Sequence, residues 1–326
     1  MTALRAAAFA AAAWCLGGCA LLSDPPQTAA LLKSAPAGLP LQAERREVPF
    51  FPQTRYHCGP AALATALVDV GLKTDPDQLA DAVFLPAREG SLQIEMLGAT
   101  RRQGAVATKL PGELPLLLQE VAAGHAVVVL QNLGLDIAPR WHYAVLVGYD
   151  LAAREVILRS GTTERERLPL RTFEFTWARG GHWAFAALPP GRLPATAREA
   201  DALEGAIGFE RSAPPAQAAT AYRAVLQRWP GNLLAGVGLG NTLVAAGDLP
   251  AAAQAFDAVA QRHDSAVAWN NLARIRLSLG DVAGARTAAE RAVQRAETAE
   301  PAFLAAARDT LAATASPLPT REGNPR

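Results

Sequence analysis

The chain has 326 residues, of which half are hydrophobic, and its formal net charge is +1. This length indicates about two domains, and the hydrophobic content is sufficient for packed cores. The nearly balanced charge excludes the strongly basic field with which many proteins attract nucleic acid. We therefore expect a globular protein of more than one domain that does not bind nucleic acid.

The N-terminal segment has the composition of a targeting signal. An apolar run over residues 6–16 is too short to cross a bilayer as a helix. It ends in Leu16-Gly17-Gly18-Cys19, which resembles the lipobox of bacterial lipoproteins. The resemblance implies a signal peptide over residues 1–18 and lipidation of Cys19. Because Ala20 follows, it also implies sorting to the outer membrane of a Gram-negative bacterium, facing the periplasm. A plain secretory signal or an uncleaved anchor is the alternative.

Composition divides the rest of the chain. Residues 19–44, rich in Pro and Ala, predict a lipid-anchored linker. A Pro-rich stretch at 189–194 marks a second boundary. These boundaries predict one domain over residues 45–190, another over 195–315, and a disordered tail over 316–326.

The first domain contains helix signals followed by strand signals. The predicted helices cover residues 59–71, 75–83, 91–103 and 111–123. The predicted strands cover residues 126–131, 142–149, 154–159, 168–176 and 182–188. Helices followed by strands favour an α+β fold.

The second domain is helical throughout. The predicted helices cover residues 196–212, 215–228, 233–246, 250–263, 266–279, 283–297 and 300–314. Gly247-Asp248 and Gly280-Asp281 occupy matching turns 33 residues apart. The period resembles that of tetratricopeptide repeats, and this resemblance implies a concave surface that binds a protein partner. An unrelated helical bundle is the alternative.

Cysteine usage draws attention to one thiol. The chain has three cysteines, Cys15, Cys19 and Cys58. Cys15 would leave with the signal and Cys19 would carry lipid, so the mature protein would hold Cys58 alone. A single thiol without a disulfide partner indicates a reactive role or, alternatively, a buried and inert side chain.

The surroundings of Cys58 favour the reactive role. Gly59 and Pro60 follow it and open a run of Ala and Leu, so Cys58 lies at a predicted helix N-terminus. Such a position favours negative charge and lowers the pKa of a thiol. The amide of Gln53 and the backbone N–H of Cys58 are candidate donors to an oxyanion.

A nucleophilic thiol also needs a base. His142 opens the apolar strand that continues to Tyr149 and is the leading candidate. His57, adjacent to Cys58, should project in another direction. His125 and His182 lie near predicted strand edges, and His263 lies in the repeats.

Together these motifs resemble the bacteriocin-processing peptidases, papain-like cysteine peptidases that cut after a double-glycine leader. The resemblance covers about residues 46–188. It implies a papain-like domain with N-terminal helices and an antiparallel sheet. It also implies that Cys58 is the nucleophile, His142 the base, and Gln53 part of the oxyanion hole.

One position departs from the family pattern. The family orients its His with an Asp on the next strand, where this chain has Ser160. A serine hydroxyl can accept from the ring N–H and fix the tautomer, but it adds no negative charge. We expect Ser160 to be the orienting group. Asp150 is the alternative, although the hairpin should carry it to the far end of the strand.

Other motifs carry less chemistry. The glycines from Gly236 to Gly240 lie within a predicted repeat helix and indicate close packing rather than a nucleotide loop. No Cys or His cluster has metal-ligand spacing, so neither metal nor cofactor is expected. Trp177 and Trp183 are predicted core or turn anchors that could also line a groove.

These observations predict a cysteine endopeptidase that acts on a peptide or protein and is tethered to the membrane by lipid. The repeats would recruit a substrate or protein partner. One alternative is a peptidase-fold scaffold with weak or no activity, which the Asp-to-Ser departure favours. Another is a transamidase or amidase with the same nucleophile and base.

Overall fold

The computed structural model describes residues 23–53, 57–88 and 90–315. The predicted signal peptide, the lipidation site Cys19 and the predicted tail lie outside the described residues. The chain divides into two compact units. Within the described residues, the first has residues up to 96, 110–186 and 194–196, and the second has 97–109, 187–193 and 197 onward.

The N-terminal half combines helices with strands. Its helices are α1 (Pro26–Lys33), α2 (Cys58–Asp69), α3 (Pro76–Val83), α4 (Gln93–Arg102), α5 (Leu114–Ala122) and α6 (Leu170–Arg179). Its strands are β1 (Gln42–Glu44), β2 (Phe84–Leu85), β3 (Gly90–Ser91), β4 (Val106–Lys109), β5 (Val127–Asn132), β6 (Trp141–Asp150), β7 (Glu155–Ser160), β8 (Thr163–Pro169) and β9 (Ala184–Leu188).

The first unit is built on an antiparallel sheet with β6 at its centre. The strand order is β9-β5-β6-β7-β8. Strand β1 pairs with the last residues of β6, beyond the residues that pair with β5. Residues 143–149 of β6 are all buried, so the strand appears in the sequence as one continuous apolar run. The predicted α+β class is confirmed.

The predicted strand over residues 168–176 is wrong. Most of this segment forms α6, with Leu170, Phe173 and Trp177 buried. Positions i, i+3 and i+7 lie on one face of a helix, although the alternation of Phe173 and Phe175 with polar residues resembles a strand. The strand that pairs with β7 is β8 instead. Most residues of β8 are charged and exposed, so the strand cannot be recognised from alternating hydrophobic residues.

Within the predicted linker, residues 26–33 and 42–44 form ordered elements of the first unit. The buried carboxylate of Glu174 accepts the backbone N–H groups of Gln27 and Thr28, at the N-terminus of α1. A negative charge is stabilising at this end of a helix. Leu31 is buried on the same helix. The Pro-rich composition therefore conceals a docked helix.

A buried carboxylate, Glu120, holds the chain at residues 195 and 196. It contacts His125 Nδ1 at 2.6 Å and accepts the backbone N–H of Ala195 and both the N–H and the hydroxyl of Thr196. Burial alone would raise the pKa of Glu120, but the hydrogen bonds from His125 and Thr196 outweigh it, and the pKa is lowered. The ionised carboxylate is therefore the form that stabilises the fold.

We expect Glu120→Ala to lower the free energy of unfolding of the first unit by about 3 kcal/mol, because it removes the buried acceptor that His125, Ala195 and Thr196 share. Urea unfolding at neutral pH measures this. Glu164→Ala removes an exposed carboxylate from β8 and should change the value by less than about 0.5 kcal/mol. Equal effects of the two substitutions would contradict the assigned role of Glu120.

The C-terminal region consists of successive packed helices. They are α7 (Glu199–Glu210), α8 (Pro215–Arg228), α9 (Leu233–Ala245), α10 (Leu249–His263), α11 (Ala266–Ser278), α12 (Val282–Thr298) and α13 (Leu304–Ala313). Gly247 and Gly280 each follow the end of a helix and have a positive φ. The side chains of Asp248 and Asp281 cap the N-termini of the next helices. The repeated Gly-Asp pairs are thus turns that end one helix and start another.

The glycines of α9 are contact points between helices. A Cβ at Gly236, Gly238 or Gly240 would lie within 2.6 Å of Val259, Tyr222 or Phe256, respectively. These side chains belong to the neighbouring helices α8 and α10. The glycine-rich segment therefore serves close helix packing.

Candidate active site

A cleft of about 1180 Å³ in the first unit collects the predicted site residues. Gln53, Cys58 and His142 line it, together with Gly161, which follows Ser160. Their elements, the segment before α2, the start of α2 and the start of β6, are far apart in sequence. The fold therefore brings the predicted residues to one cavity.

Cys58 is the first residue of α2 and is partly buried. Gly59 allows the helix to approach β3, because a Cβ there would lie 2.1 Å from Ser91 Oγ. Backbone groups of Tyr143, Gly59 and Cys58 itself hydrogen-bond to the sulfur. The thiol thus lies against the main chain of β6, beside the residue that follows His142.

The pKa of Cys58 differs from the sequence prediction. Burial raises it, and the hydrogen bonds to the sulfur from the backbone of Tyr143, Gly59 and Cys58 offset this only in part. The helix N-terminus therefore does not produce a low thiol pKa, because desolvation of the thiolate is the larger effect. The thiol is neutral at pH 7.

His142 begins the buried strand β6 and is held by one side-chain hydrogen bond, from Nε2 to Ser160 Oγ at 2.9 Å. If Nε2 carries the proton and donates it to Ser160, the other ring nitrogen, Nδ1, is left with a lone pair. Burial lowers the pKa of His142, Glu166 acts in the opposite direction, and Arg140 lowers it further. The ring is therefore neutral at pH 7 and able to accept a proton.

Gln53 is fixed by main-chain and side-chain contacts. Its backbone N–H donates to Gly161 O at 2.9 Å, and its Nε2 donates to Tyr143 O at 3.4 Å. The preceding segment is anchored by the buried guanidinium of Arg159, which donates to the carbonyls of Arg46 and Val48. Gln53 thus reaches the same stretch of β6 backbone as Cys58.

Cys58 and His142 line the same cleft, but no hydrogen bond joins their side chains in the described part of the chain. Over residues 23–53, 57–88 and 90–315, no hydrogen bond joins Sγ to the imidazole ring, and the bond to Ser160 is the only one that the ring of His142 makes. Catalytic hydrogen bonds are often longer before substrate binds. The arrangement is therefore a neutral thiol and a neutral imidazole beside one cavity, not a preformed ion pair.

Comparison with known families agrees with this architecture. The family model described as a C39-like peptidase family matches residues 45–184, and the tetratricopeptide repeat model matches residues 203–266 and 237–300. Residues 45–184 are a C39-like peptidase domain, and tetratricopeptide repeats follow it. The peptidase-domain and repeat parts of the predicted resemblance are confirmed, whereas the lipoprotein motif and the double-glycine specificity stay predictions.

Solved structures give weaker likenesses, and no curated protein matches the chain. The structure of a C39-like peptidase from Bacillus anthracis is 19% identical, with a TM-score of 0.39, and the match covers 45% of this chain and 97% of that one. PcrH from Pseudomonas aeruginosa is 20% identical over 36% of this chain and 92% of its own, with a TM-score of 0.34. The complex of the TPR2B domain of yeast Sti1 with an Hsp70 peptide is 13% identical over 36% of this chain and 95% of that chain, with a TM-score of 0.34.

The other histidines of the C39-like domain have structural surroundings. The ring of His57 packs on Phe84, and that of His182 packs on the buried Trp177. His125 pairs with Glu120, as described above. His142 is the only histidine among the described residues that line the cleft.

Asp150 and the two predicted tryptophan anchors lie away from the reacting groups. Asp150 ends β6, eight residues beyond His142, where it accepts the backbone N–H of Ala153. Trp177 is buried in the core, and Trp183 packs on Tyr143 and Phe185. Among the described residues, Ser160 is the side chain that hydrogen-bonds to the ring of His142.

Sequence reasoning missed three charged residues around the site. Arg140 and Arg179 line the cleft, and Glu166 on β8 acts on the charge of His142. Glu166 pairs with Leu158, two residues before Ser160. If β8 had been predicted as a strand that pairs with β7, Glu166 would have been expected near Ser160 and His142. Arg140 and Arg179 had no comparable signal in the sequence.

The opposite charges near His142 predict opposite pH shifts. If the domain cleaves peptides with His142 as the base, the reaction needs the neutral ring, and kcat/KM should fall only as the pH drops below the lowered pKa of His142, beneath the ordinary value of about 6.5. Removing a negative charge lowers this pKa further, so Glu166→Gln should move the acidic limb to lower pH. Removing a positive charge raises it, so Arg140→Gln should move the limb to higher pH.

The pH dependence of kcat/KM for each variant measures these shifts. Arg154→Gln is the control, because it removes an exposed positive charge from the turn at the far end of β6 and should leave the limb unchanged. Shifts of the same sign in the Glu166 and Arg140 variants would rule out His142 as the titrating group.

The repeats have a cleft of their own, of about 670 Å³. Asn241, Asn270 and Arg274 line it together with apolar side chains such as Phe256. Asn270 is buried, and its Oδ1 has no hydrogen-bond partner among the described residues. The exposed polar groups of this cleft include those of Asn241 and Arg274.

No group of metal-ligating side chains is found in the described part of the chain. Likewise, none of its described helices has the length and apolar character needed to cross a bilayer.

Proposed function

We propose that the C39-like domain is a cysteine peptidase in which Cys58 attacks a peptide carbonyl and His142 carries the proton. The observation that supports this most strongly is the contact of His142 Nε2 with Ser160. It commits one ring nitrogen to orientation and leaves Nδ1 available as a base, in the same cleft as the thiol. A general base requires this arrangement, in which one ring nitrogen is hydrogen-bonded and the other is available to accept a proton.

The proposed reaction has two stages. Cys58 Sγ bonds to the carbonyl carbon while its proton passes to His142 Nδ1. The C–N bond then breaks, and Nδ1 returns the proton to the leaving amine. In the second stage Nδ1 takes a proton from water, the hydroxide adds to the thioester, and the C–S bond breaks as Nδ1 gives its proton to the sulfur, which regenerates the thiol and the neutral ring.

The pKa directions favour general-base activation over a resting ion pair. The thiol has a raised pKa and the imidazole a lowered one, so the proton stays on sulfur until attack. The contact between Nδ1 and Sγ would form when substrate fills the cleft. Gln53 Nε2 and the Cys58 backbone N–H are the proposed donors to the oxyanion, and Gln53 would exchange its long bond to Tyr143 O for this one.

The same observations keep a scaffold function as the second candidate. No hydrogen bond joins Cys58 to His142 in the described residues, and burial disfavours the thiolate. A peptide-binding domain without turnover would show both features. An amidase or transamidase would share the nucleophile and base of the peptidase.

For the repeats we propose a protein partner or substrate, bound at the cleft that contains Asn270. The exposed side chains of Asn241 and Arg274 suit polar groups of a peptide backbone, and the apolar wall beside them suits an apolar side chain. We further propose that lipid on Cys19 anchors the protein to the outer membrane on the periplasmic side. This second proposal rests on the sequence motif alone.

The test is mass spectrometry of a peptide mixture incubated with the purified protein. A peptidase produces paired fragments that share one cut site, whereas an amidase changes Gln or Asn side chains without cutting the chain. Intact peptides that remain bound to the protein would support the scaffold. The Cys58→Ala protein is the control in each case.

A further inference from the structure

The cleft of the C39-like domain has a positive wall. Among the described residues that line it, two are arginines, Arg140 and Arg179, and none is acidic. A concave site with charge of one sign attracts ligands of the opposite sign. The charge of this wall thus bears on which peptides the site accepts.

Both arginines lie where the buried residue Asn132 holds them. The carbonyl of Asn132 accepts Nε and Nη2 of Arg179 at 3.2 and 3.0 Å. Its side-chain Oδ1 accepts the backbone N–H groups of Gly134 and Arg140, each at 2.9 Å, which closes the loop that carries Arg140. One buried residue therefore fixes the guanidinium of Arg179 through its main-chain carbonyl and the backbone at Arg140 through its side chain.

Neither guanidinium is neutralised by the protein. No ion pair joins Arg140 or Arg179 to a carboxylate in the described part of the chain, including Asp136 on the same loop as Arg140. The hydrogen bonds of Arg179 go to a neutral carbonyl and leave its Nη1 unengaged. Arginine presents donors in a fork that suits a carboxylate.

We infer that the cleft selects peptides with a carboxylate, from an Asp or Glu side chain or a chain terminus, which Arg140 and Arg179 bind beside the reacting bond. This inference deepens the proposed peptidase function and rests on it. The two arginines would add affinity and orientation, and Trp141 and Leu92, which also line the cleft, would contact neighbouring apolar atoms.

The experiment compares peptides of one cleaved sequence in which Glu or its neutral isostere Gln is scanned through each position. At one or two positions kcat/KM should be on the order of tenfold to a hundredfold higher for Glu, the range of a charge-assisted hydrogen bond. Arg140→Gln should reduce this ratio, because it should lower kcat/KM more for the Glu peptide than for the Gln peptide when both are measured at one pH. Arg140→Glu should favour a Lys peptide at the same position. Arg154→Gln, outside the cleft, is the charge control and should keep the wild-type ratio.

Binding to the Cys58→Ala protein separates this inference from the peptidase proposal. Tighter binding of the Glu peptide, lost in the Cys58→Ala, Arg140→Gln double variant, supports the carboxylate site even if no peptide is ever cut. A peptide with a free C-terminus, compared with its amide, tells a terminal carboxylate from a side-chain one. Equal rates and equal binding for Glu and Gln peptides at every position overturn the inference, whether or not cleavage occurs.

Discussion

Replacing Cys58 with Ala should abolish peptide cleavage, with a loss on the order of 10⁵-fold or more in kcat. The substitution removes the sulfur that forms the proposed thioester, and nothing else on α2 can replace it. Because the thiol is partly buried and packs against the backbone of Tyr143 rather than in the core, the fold should persist. Loss of activity would then report chemistry rather than unfolding.

The control for Cys58 is Cys58→Ser, which keeps a hydroxyl of similar size. The same weak base would have to activate a much less acidic group, so we expect activity near that of the Ala variant. Circular dichroism and thermal unfolding of both variants establish that they are folded. Substantial cleavage by Cys58→Ala would eliminate the thiol as nucleophile.

Replacing His142 with Ala should lower kcat by about 10²- to 10⁴-fold, the usual contribution of a general base. The residual reaction should grow with pH, because thiolate formed by bulk hydroxide would replace the missing base. This rise should extend above the ordinary thiol range, since burial raises the pKa of Cys58. Measurement of kcat from pH 5 to 10 tests both statements.

Ser160→Ala is the milder companion to His142→Ala. It removes the acceptor that keeps the proton on Nε2, so a fraction of the rings adopts the unproductive tautomer, and we expect a smaller loss than in His142→Ala. Ser160→Asp restores an acceptor with negative charge and should raise the pKa of His142. An unchanged rate in Ser160→Ala would remove Ser160 from the mechanism, leaving His142 to be oriented by its strand alone.

Much of the fold follows from local sequence signals. The Cys-Gly-Pro opening of α2 and the apolar run of β6 predicted their elements to within a few residues. Capping chemistry explains the repeats, since Gly and Asp side by side end one helix and begin the next. The failures occur where a pattern is ambiguous. Alternating Phe residues in α6 imitate a strand, and the charged strand β8 has no apolar face.

The site was predictable in its residue types more than in its electrostatics. Cys58, His142, Gln53 and Ser160 follow from two short motifs, and the structure brings three of them to the cleft and the fourth to the histidine ring. The thiol pKa was misjudged because burial depends on the tertiary structure, which outweighs the helix terminus. Likewise, Arg179 reaches the cleft only through a contact with a residue 47 positions away.

The most direct test of the account is to find the acyl group on Cys58. A peptide ester acylates a thiol faster than a peptide bond does, so an acyl-enzyme should accumulate before hydrolysis. After acid quenching, intact and tryptic mass spectrometry should locate the acyl mass on Cys58 in the wild-type protein and find much less of it in His142→Ala. Ester turnover at the wild-type rate in Cys58→Ala, or an acyl group found only on another residue, would contradict the proposed mechanism.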